Sequence, residues 1–161
     1  MEIRRADESD WPLVYPIFRA IVDDGRSYAF PENLSLEAAR PWWMEKPPGL
    51  TVVAVEAGRI VGSAKMGPNR PGRGSHVATA SFMVDPAAAG KGVGTALGHF
   101  AIDWARDAGF SGMQFNAVVE TNEPAVGLWT KLGFAVIGTV PRAFDHRDDG
   151  RVGLHVMYRD L

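Results

Sequence analysis

Residues 87–105, AAAGKGVGTALGHFAIDWA, crowd three glycines into positions 90–94 and then fall into a helical pattern. The preceding stretch HVATASFMVDP (residues 76–86) reads as a buried strand, which puts the glycines at a strand-to-helix turn. A helix N-terminus carries unpaired N–H groups and partial positive charge, and a turn without side chains lets a phosphate reach them. Gly90, Gly92 and Gly94 would supply that bare backbone, with Lys91 adding a charge at its rim. A tight turn with no ligand remains the plainer alternative. Neither common phosphate loop applies. A Walker A loop needs Ser or Thr after Gly-Lys, whereas Gly92 follows Lys91, and a G-x-G-x-x-G loop meets Thr95 or Leu97 where it needs a small residue.

Outward from this turn, Val93, Leu97, Phe100, Ala101, Trp104 and Ala108 recur at helical spacing, and Gly109 closes the helix. SGMQFNAVV (111–119) is the next strand, after which Asn122 caps a helix carrying Ala125, Val126, Leu128, Trp129 and Leu132 up to Gly133. FAVIGTV (134–140) and RVGLHVMY (151–158) are two further strands around a polar loop, PRAFDHRDDG. Upstream, EIRRA is a first strand, and Ser9 or Asp10 caps a helix with Trp11, Val14, Phe18, Ile21 and Val22 on one face and a bend at Pro16. Ser35 caps a second helix reaching Trp43, and TVVAVEAGRIVGSAKMGP (51–68) reads as a hairpin turning around Ala57-Gly58-Arg59. The order β-α-α-β-β-β-α-β-α-β-β predicts an α/β (α+β) fold, a mixed sheet of about seven strands with helices on both faces.

The 161 residues show no repeat or low-complexity break, so residues 1–161 read as one domain. A net charge of −2 offers nucleic acid and anionic membrane no global attraction. The absence of cysteine excludes disulfides, thiolate metal sites and a cysteine nucleophile, and no metal centre is expected. MEIRRADESD is a charged, strand-like start and no apolar run spans a bilayer, so the expected address is the cytoplasm.

Two stretches together resemble the GNAT superfamily of N-acetyltransferases. AGKGVG (89–94) is similar to that family's Gln/Arg-x-x-Gly-x-Gly/Ala loop, with Ala89 in place of the Gln or Arg. NEPAVGLWTKLGF (122–134) is similar to Asn-x-x-Ala-x-x-Leu-Tyr-x-x-x-Gly-Phe, with Trp129 at the Tyr position. FNAVVETN (115–122) looks most like a branch that includes the yeast enzyme acetylating the proline analogue azetidine-2-carboxylate. The resemblance implies the GNAT fold and acetyl-CoA bound between the glycine-bearing strand and the next parallel strand. Its pyrophosphate would meet the N–H groups of Ala89, Gly90, Lys91, Gly92, Val93, Gly94 and Thr95. The pantetheine would pair with the backbone of Phe82, Met83 and Val84, beside Asn122, Ala125 and Trp129 of the motif helix. Many members form dimers, which extends to this chain only as an expectation.

The implied reaction is direct attack of a neutral amine on the acetyl thioester in a ternary complex, since no cysteine exists to hold the acetyl group. Backbone N–H near Val84 would polarise the thioester carbonyl. An alkyl amine of pKa about 10 keeps its proton at pH 7, which costs roughly 4 kcal/mol to undo, so a base or ordered water should assist. Glu120, just past the cleft strand, and His155, bordering the substrate, are the candidates, each equally readable as structural. The family's acidic Tyr is replaced by Trp129, which does not release a proton, so an amide hydrogen bond from Asn122 to the departing thiolate is the expected substitute. Tyr28 and Phe30 in RSYAFPEN would wall an acceptor pocket or else pack on the first helix, and Thr79, Asn116 and Ala117 would hold the acceptor's carboxylate or amide. A peptide amine as acceptor, or a CoA-binding module without catalysis, are the competing readings.

Overall fold

The computed structural model describes residues 1–161. Its elements are β1 (Glu2–Arg5), α1 (Trp11–Asp23), α2 (Leu36–Trp43), β2 (Leu50–Glu56), β3 (Arg59–Pro68), β4 (Val77–Val84), α3 (Val93–Asp107), β5 (Gly112–Val119), α4 (Glu123–Lys131), β6 (Ala135–His146) and β7 (Gly150–Asp160). The predicted element order is the observed one. The seven strands form one mixed sheet in the order β1-β2-β3-β4-β5-β7-β6. Only the β4–β5 pair is parallel, because α3 carries the chain back across one face between them.

Both faces of the sheet are covered, and β2 shows how. Val52 and Ala54 pack with Leu97, Ala101 and Trp129 of α3 and α4, whereas Val53 between them packs with Trp11, Phe18 and Trp43 of α1 and α2. The β2–β3 hairpin turns on Ala57 (φ 48°) and Gly58 (φ 74°), and two successive positive φ values match the right-handed twist of the strands they join.

Three local expectations are corrected. Asp10 precedes α1 but makes no side-chain cap bond. Its carboxylate instead accepts two bonds from Arg4, at 2.7 and 2.8 Å, and one from the Asp7 N–H. The Arg4 hydrogen bond holds the Asp10 carboxyl below its ordinary range, so the stability this pair contributes is lost as pH falls through that lowered value. Second, α3 buries Leu97, Ala101, Ile102 and Ala105 but ends at Asp107 and leaves Ala108, expected on its apolar face, exposed. Third, β6 extends through most of the stretch expected as a loop. It is an edge strand whose outward residues face water and so read as polar, and its register shifts between Val140 and Phe144, where Pro141 is tolerated and Arg142 takes φ 55°.

The feature that makes a site is the parting of β4 and β5. They pair only at Val77–Gly112 and Ala78–Met113, and beyond that point β4 runs on to Val84 without a partner on that side. In β5 the register against β7 shifts between Phe115 and Val118, a bulge of one extra residue.

Candidate active site

The parted strands enclose a cavity of about 520 Å3. Thr79, Phe82, Met83 and Val84 line it from β4, Asn116 and Ala117 from β5, Asn122, Ala125 and Trp129 from the α4 region, and Tyr28 and Phe30 from the loop after α1. Trp42, Ser81, Phe144 and Leu154 also line it and were not legible beforehand. Phe144 lay in the stretch read as loop, and Trp42 was indistinguishable in pattern from its neighbour Trp43, which is fully buried.

Backbone direction along β4 decides which groups the cavity can use. In an antiparallel ladder alternate residues turn both backbone groups to one neighbour. Asp85 N–H donates to Val61 O, and Met83 stands opposite Ser63, so this set faces β3. Phe82 and Val84 therefore face the cleft. The Phe82 groups are already taken: its N–H donates to the Tyr28 hydroxyl at 3.0 Å, and that hydroxyl donates to the Phe82 carbonyl at 2.7 Å. Of the three residues expected to pair with pantetheine, Val84 alone turns free backbone groups to the cleft.

Tyr28 both walls the cleft and packs on Trp43 of α2, with ring centroids 6.1 Å apart, and lies 5.1 Å from Phe30, which in turn stacks on Phe18 of α1 at 6.0 Å. The two alternatives drawn from the sequence thus coexist. Burial pushes the Tyr28 phenol well above the ordinary tyrosine range, so it is neutral at physiological pH and costs stability only in alkali above about 10. Tyr28→Phe should leave the Phe82 N–H and C=O unpartnered and cost about 1–2 kcal/mol. At about 2–4 °C per kcal/mol for a chain of this size, calorimetry should show a clear fall in Tm, and an unchanged Tm would show the bridge to be dispensable.

At the glycine turn, Asp85 accepts from Ala87 N–H at 3.0 Å and sets a short 3-10 turn over Pro86–Ala88. Gly90 (φ 76°) and Gly92 (φ 80°) then take left-handed conformations, and a Cβ on either would meet open space. Conformation, not crowding, demands glycine there. Gly94 differs, since its Cβ would lie 3.3 Å from Leu128 and 3.7 Å from Val84, so it serves the packing of α3 against α4. The N–H groups of Ala89 and Lys91 are spent on Pro86 O and Ala88 O. Those of Gly90, Gly92, Val93, Gly94 and Thr95 find no acceptor in the protein. Unpaired donors converging on one helix N-terminus fit the pyrophosphate of acetyl-CoA.

Asn122 caps α4 through its side-chain oxygen, which accepts from Ala125 N–H at 3.3 Å. Its amide nitrogen makes no bond within the protein and stays available on the cleft wall. Trp129 packs with ring centroids 4.5 Å from Phe82 and 4.8 Å from Phe115, a wall and not an acid. Asn116 donates to Asn69 at 2.6 Å and accepts from Gln114 at 2.9 Å.

Glu120 and His155 are not brought to this cleft. Glu120 turns to β7, where its carboxylate accepts from Gly153 N–H. His155 alternates with the cleft-lining Leu154 and pairs through Nδ1 with Thr139 Oγ1 at 2.7 Å on the other face. No Asp, Glu, His, Lys or Arg lines the cleft, and Tyr28 is its sole titratable side chain.

Comparison with known proteins agrees with this geometry. Residues 12–134 match the acetyltransferase (GNAT) family. The chain is 34% identical over 101 residues to N-acetyltransferase aca1 of Schizosaccharomyces pombe, an alignment covering 63% of this chain and 46% of that protein. It therefore spans about half the length of that relative. A GCN5-related N-acetyltransferase from Kribbella flavida is 56% identical, with TM-score 0.96 over 99% of this chain and 97% of its own. The Salmonella typhimurium protein yncA, solved with its cofactor acetyl-CoA, is 27% identical with TM-score 0.87, over 100% of this chain and 94% of its own. No helix is long and apolar enough to cross a membrane. With the family matched across most of its length and the parted strands and glycine turn in place, this chain belongs to the GNAT family of acetyltransferases.

Proposed function

We propose that this protein moves an acetyl group from acetyl-CoA to the primary or secondary amine of a small molecule, by direct attack in a ternary complex. The observation that carries the reading is the aromatic wall. Tyr28, Phe30 and Trp42, all from the α1–α2 segment, line one side of the cleft, and an aromatic wall of this kind suits a compact acceptor better than an extended peptide. The resemblance to enzymes acting on a proline analogue points the same way.

Acetyl-CoA supplies the activated acyl thioester. The chain's own groups hold and orient: the unpaired N–H groups from Gly90 to Thr95 take the phosphates, and Val84 offers its N–H to the thioester carbonyl. Asn122 offers its amide nitrogen to the departing sulfur, and a thiol of pKa about 8.5 leaves tolerably as its anion. The amine's proton passes to water, since the cleft wall holds no carboxylate or imidazole to take it.

This last point sets a pH dependence. With the amine's own ionisation in control, kcat/KM should rise about tenfold per pH unit between roughly 6 and 8 and level off only near the acceptor's pKa. Glu120→Gln and His155→Ala should keep that slope. A plateau near neutrality that either substitution abolishes would restore that residue as the base.

The function itself is tested by following thiol release with free amino acids, drug-like amines and peptides. Transfer to small amines supports the proposal, transfer to peptides alone overturns it, and acetyl-CoA binding without transfer to any amine would leave a binding module. Exposed Val136, Ile137 and Val140 along the edge strand β6 support a homodimer, which sedimentation as a monomer would refute.

A further inference from the structure

The loop between α1 and α2 carries Ser27, Tyr28, Ala29 and Phe30, which line the cleft, and its base is closed. Asn33 N–H donates to the Asp23 carboxylate at 2.9 Å, and the Tyr15 hydroxyl donates to Leu34 O at 2.7 Å. Residues 24–33 thus leave and rejoin the helical layer close to one point, as in an Ω-loop. What holds that base comes from far along the chain. α1 has no basic residue in its last turn, and its final carbonyls need donors.

Arg147, at the tip of the β6–β7 hairpin, supplies them. Its Nε donates to Asp24 O at 2.6 Å, its guanidinium to Asp23 O at 2.7 Å, and its backbone N–H to Gly25 O at 3.0 Å. One residue, 123 positions from Asp24, therefore satisfies three successive carbonyls. Gly25 takes φ 70°, and a Cβ there would lie 2.9 Å from Arg147 Nε and 3.2 Å from the Glu32 carboxylate, so glycine lets the guanidinium lie against the backbone. The Arg147–Glu32 pair itself, 3.5 Å apart with both side chains about half exposed, adds little. From the loop side, Arg26 donates to the Asp148 carboxylate at 2.7 Å. His146 Nδ1 accepts from the N–H groups of Asp148 and Asp149 at 3.2 Å each, which shapes the hairpin tip. Phe144, on the same hairpin, lines the cleft, whereas Arg147 does not.

We propose that Arg147 is a positioning residue for the transfer reaction: it ties the base of the 24–33 loop to the β6–β7 hairpin, so that Tyr28, Phe30 and Phe144 meet the acceptor in one fixed arrangement. The inference rests on the acetyl-transfer reading above, which gives that wall to the acceptor. Stability alone does not account for the placement. A cation that merely capped α1 could come from the helix itself, whereas this one joins two segments that both reach the cleft. A wall held this way binds less well once its support loosens, although no contact to the acceptor is removed.

The test measures Arg147→Gln with acetyl-CoA and the small amine of highest kcat/KM in the thiol-release panel. KM for that amine should rise by about fivefold or more while kcat stays within about twofold, because the binding wall and not the reacting groups has lost its support. The calorimetric dissociation constant for acetyl-CoA should stay within about twofold of the parent's, since Arg147 bonds to none of the glycine turn's groups. Trypsin gives a readout independent of turnover. Cleavage between Arg26 and Ser27, followed by mass spectrometry, should be on the order of tenfold faster in Arg147→Gln, as expected when the open loop becomes more populated. Arg147→Lys keeps the charge but not the fork that bridges two carbonyls, and should fall between the two in both assays. If Arg147→Gln fails to fold, the same assays on Arg147→Lys decide. Arg151→Gln, exposed on the same hairpin, should match the parent throughout. Parent-like KM in a variant whose loop is cut faster would overturn the positioning role, and parent-like cleavage would overturn the clamp. Equal losses in kcat, acceptor KM and acetyl-CoA affinity would make Arg147 a residue of general stability and overturn the proposal too. If no amine is acetylated although acetyl-CoA binds, the functional reading fails and the positioning role with it, while the cleavage rate still decides the clamp.

Discussion

Replacing Gly92 with Asp is expected to raise the dissociation constant for acetyl-CoA by roughly tenfold or more while the fold stays intact. The new Cβ would meet open space, and of the non-glycine residues Asp is among those best suited to a φ of +80°. Asp is also a favoured residue at a helix N-cap, the position Gly92 holds ahead of α3. The strain of a left-handed backbone, about 1–2 kcal/mol, leaves the protein folded, and the larger damage falls on the ligand. A carboxylate would sit among the N–H groups of Gly90, Val93, Gly94 and Thr95, compete for them and repel the phosphates. Gly92→Asn, of the same shape but uncharged, should lose less, and the difference between the two isolates the charge. Lys91→Ala should do less again, because an exposed charge at the rim is screened by salt. Unchanged affinity of folded Gly92→Asp in calorimetric titration would remove the phosphate role from this loop.

The second large effect is expected at Asn122, where two tasks fall to two atoms of one side chain. The oxygen caps α4 by accepting from Ala125 N–H, and the amide nitrogen has no partner in the protein. Asn122→Asp keeps the first and abolishes the second, because a carboxylate caps a helix well yet repels a thiolate. It should therefore keep its Tm and lose roughly tenfold or more in kcat, the magnitude expected of a hydrogen bond to a charged group at about 1.5–3 kcal/mol. Trp129→Phe should keep most turnover, since the ring serves as a wall packed on Phe82 and Phe115. Parent-like turnover in Asn122→Asp would end the sulfur-contact role. Tyr28 would then be a poor replacement as proton donor, because burial raises its pKa and its proton is committed to the Phe82 carbonyl.

Much of this was legible from neighbouring residues alone. Alternation along β2, paired positive-φ positions at Ala57-Gly58, the cap at Ser35 accepting from Ala38, and the glycine turn before α3 each depend on contacts within a few residues. Such signals survive in a linear reading because backbone sterics and hydrophobic period act locally. The same reasoning failed on β6, where an edge strand with one wet face has the composition of a loop.

By itself, then, the sequence determined the element order and the two motif turns, and of the seven N–H groups it named from Ala89 to Thr95 the fold leaves five without an acceptor. Which side chains enter the cleft was decided only by the tertiary structure, and the bulge in β5 shows why. Between Phe115 and Val118 three steps on β5 match two on β7, so the inward–outward alternation changes parity beyond Asn116 and Ala117. Beyond that change Glu120 turns onto the Gly153 N–H and away from the cleft. The Tyr28 hydroxyl on Phe82, fifty-four residues apart in the chain, and the meeting of Lys65 with the edge of the cleft at Phe30 arise the same way. Strand register and the folding of the α1–α2 loop over the parted strands set these contacts, and no local pattern encodes either.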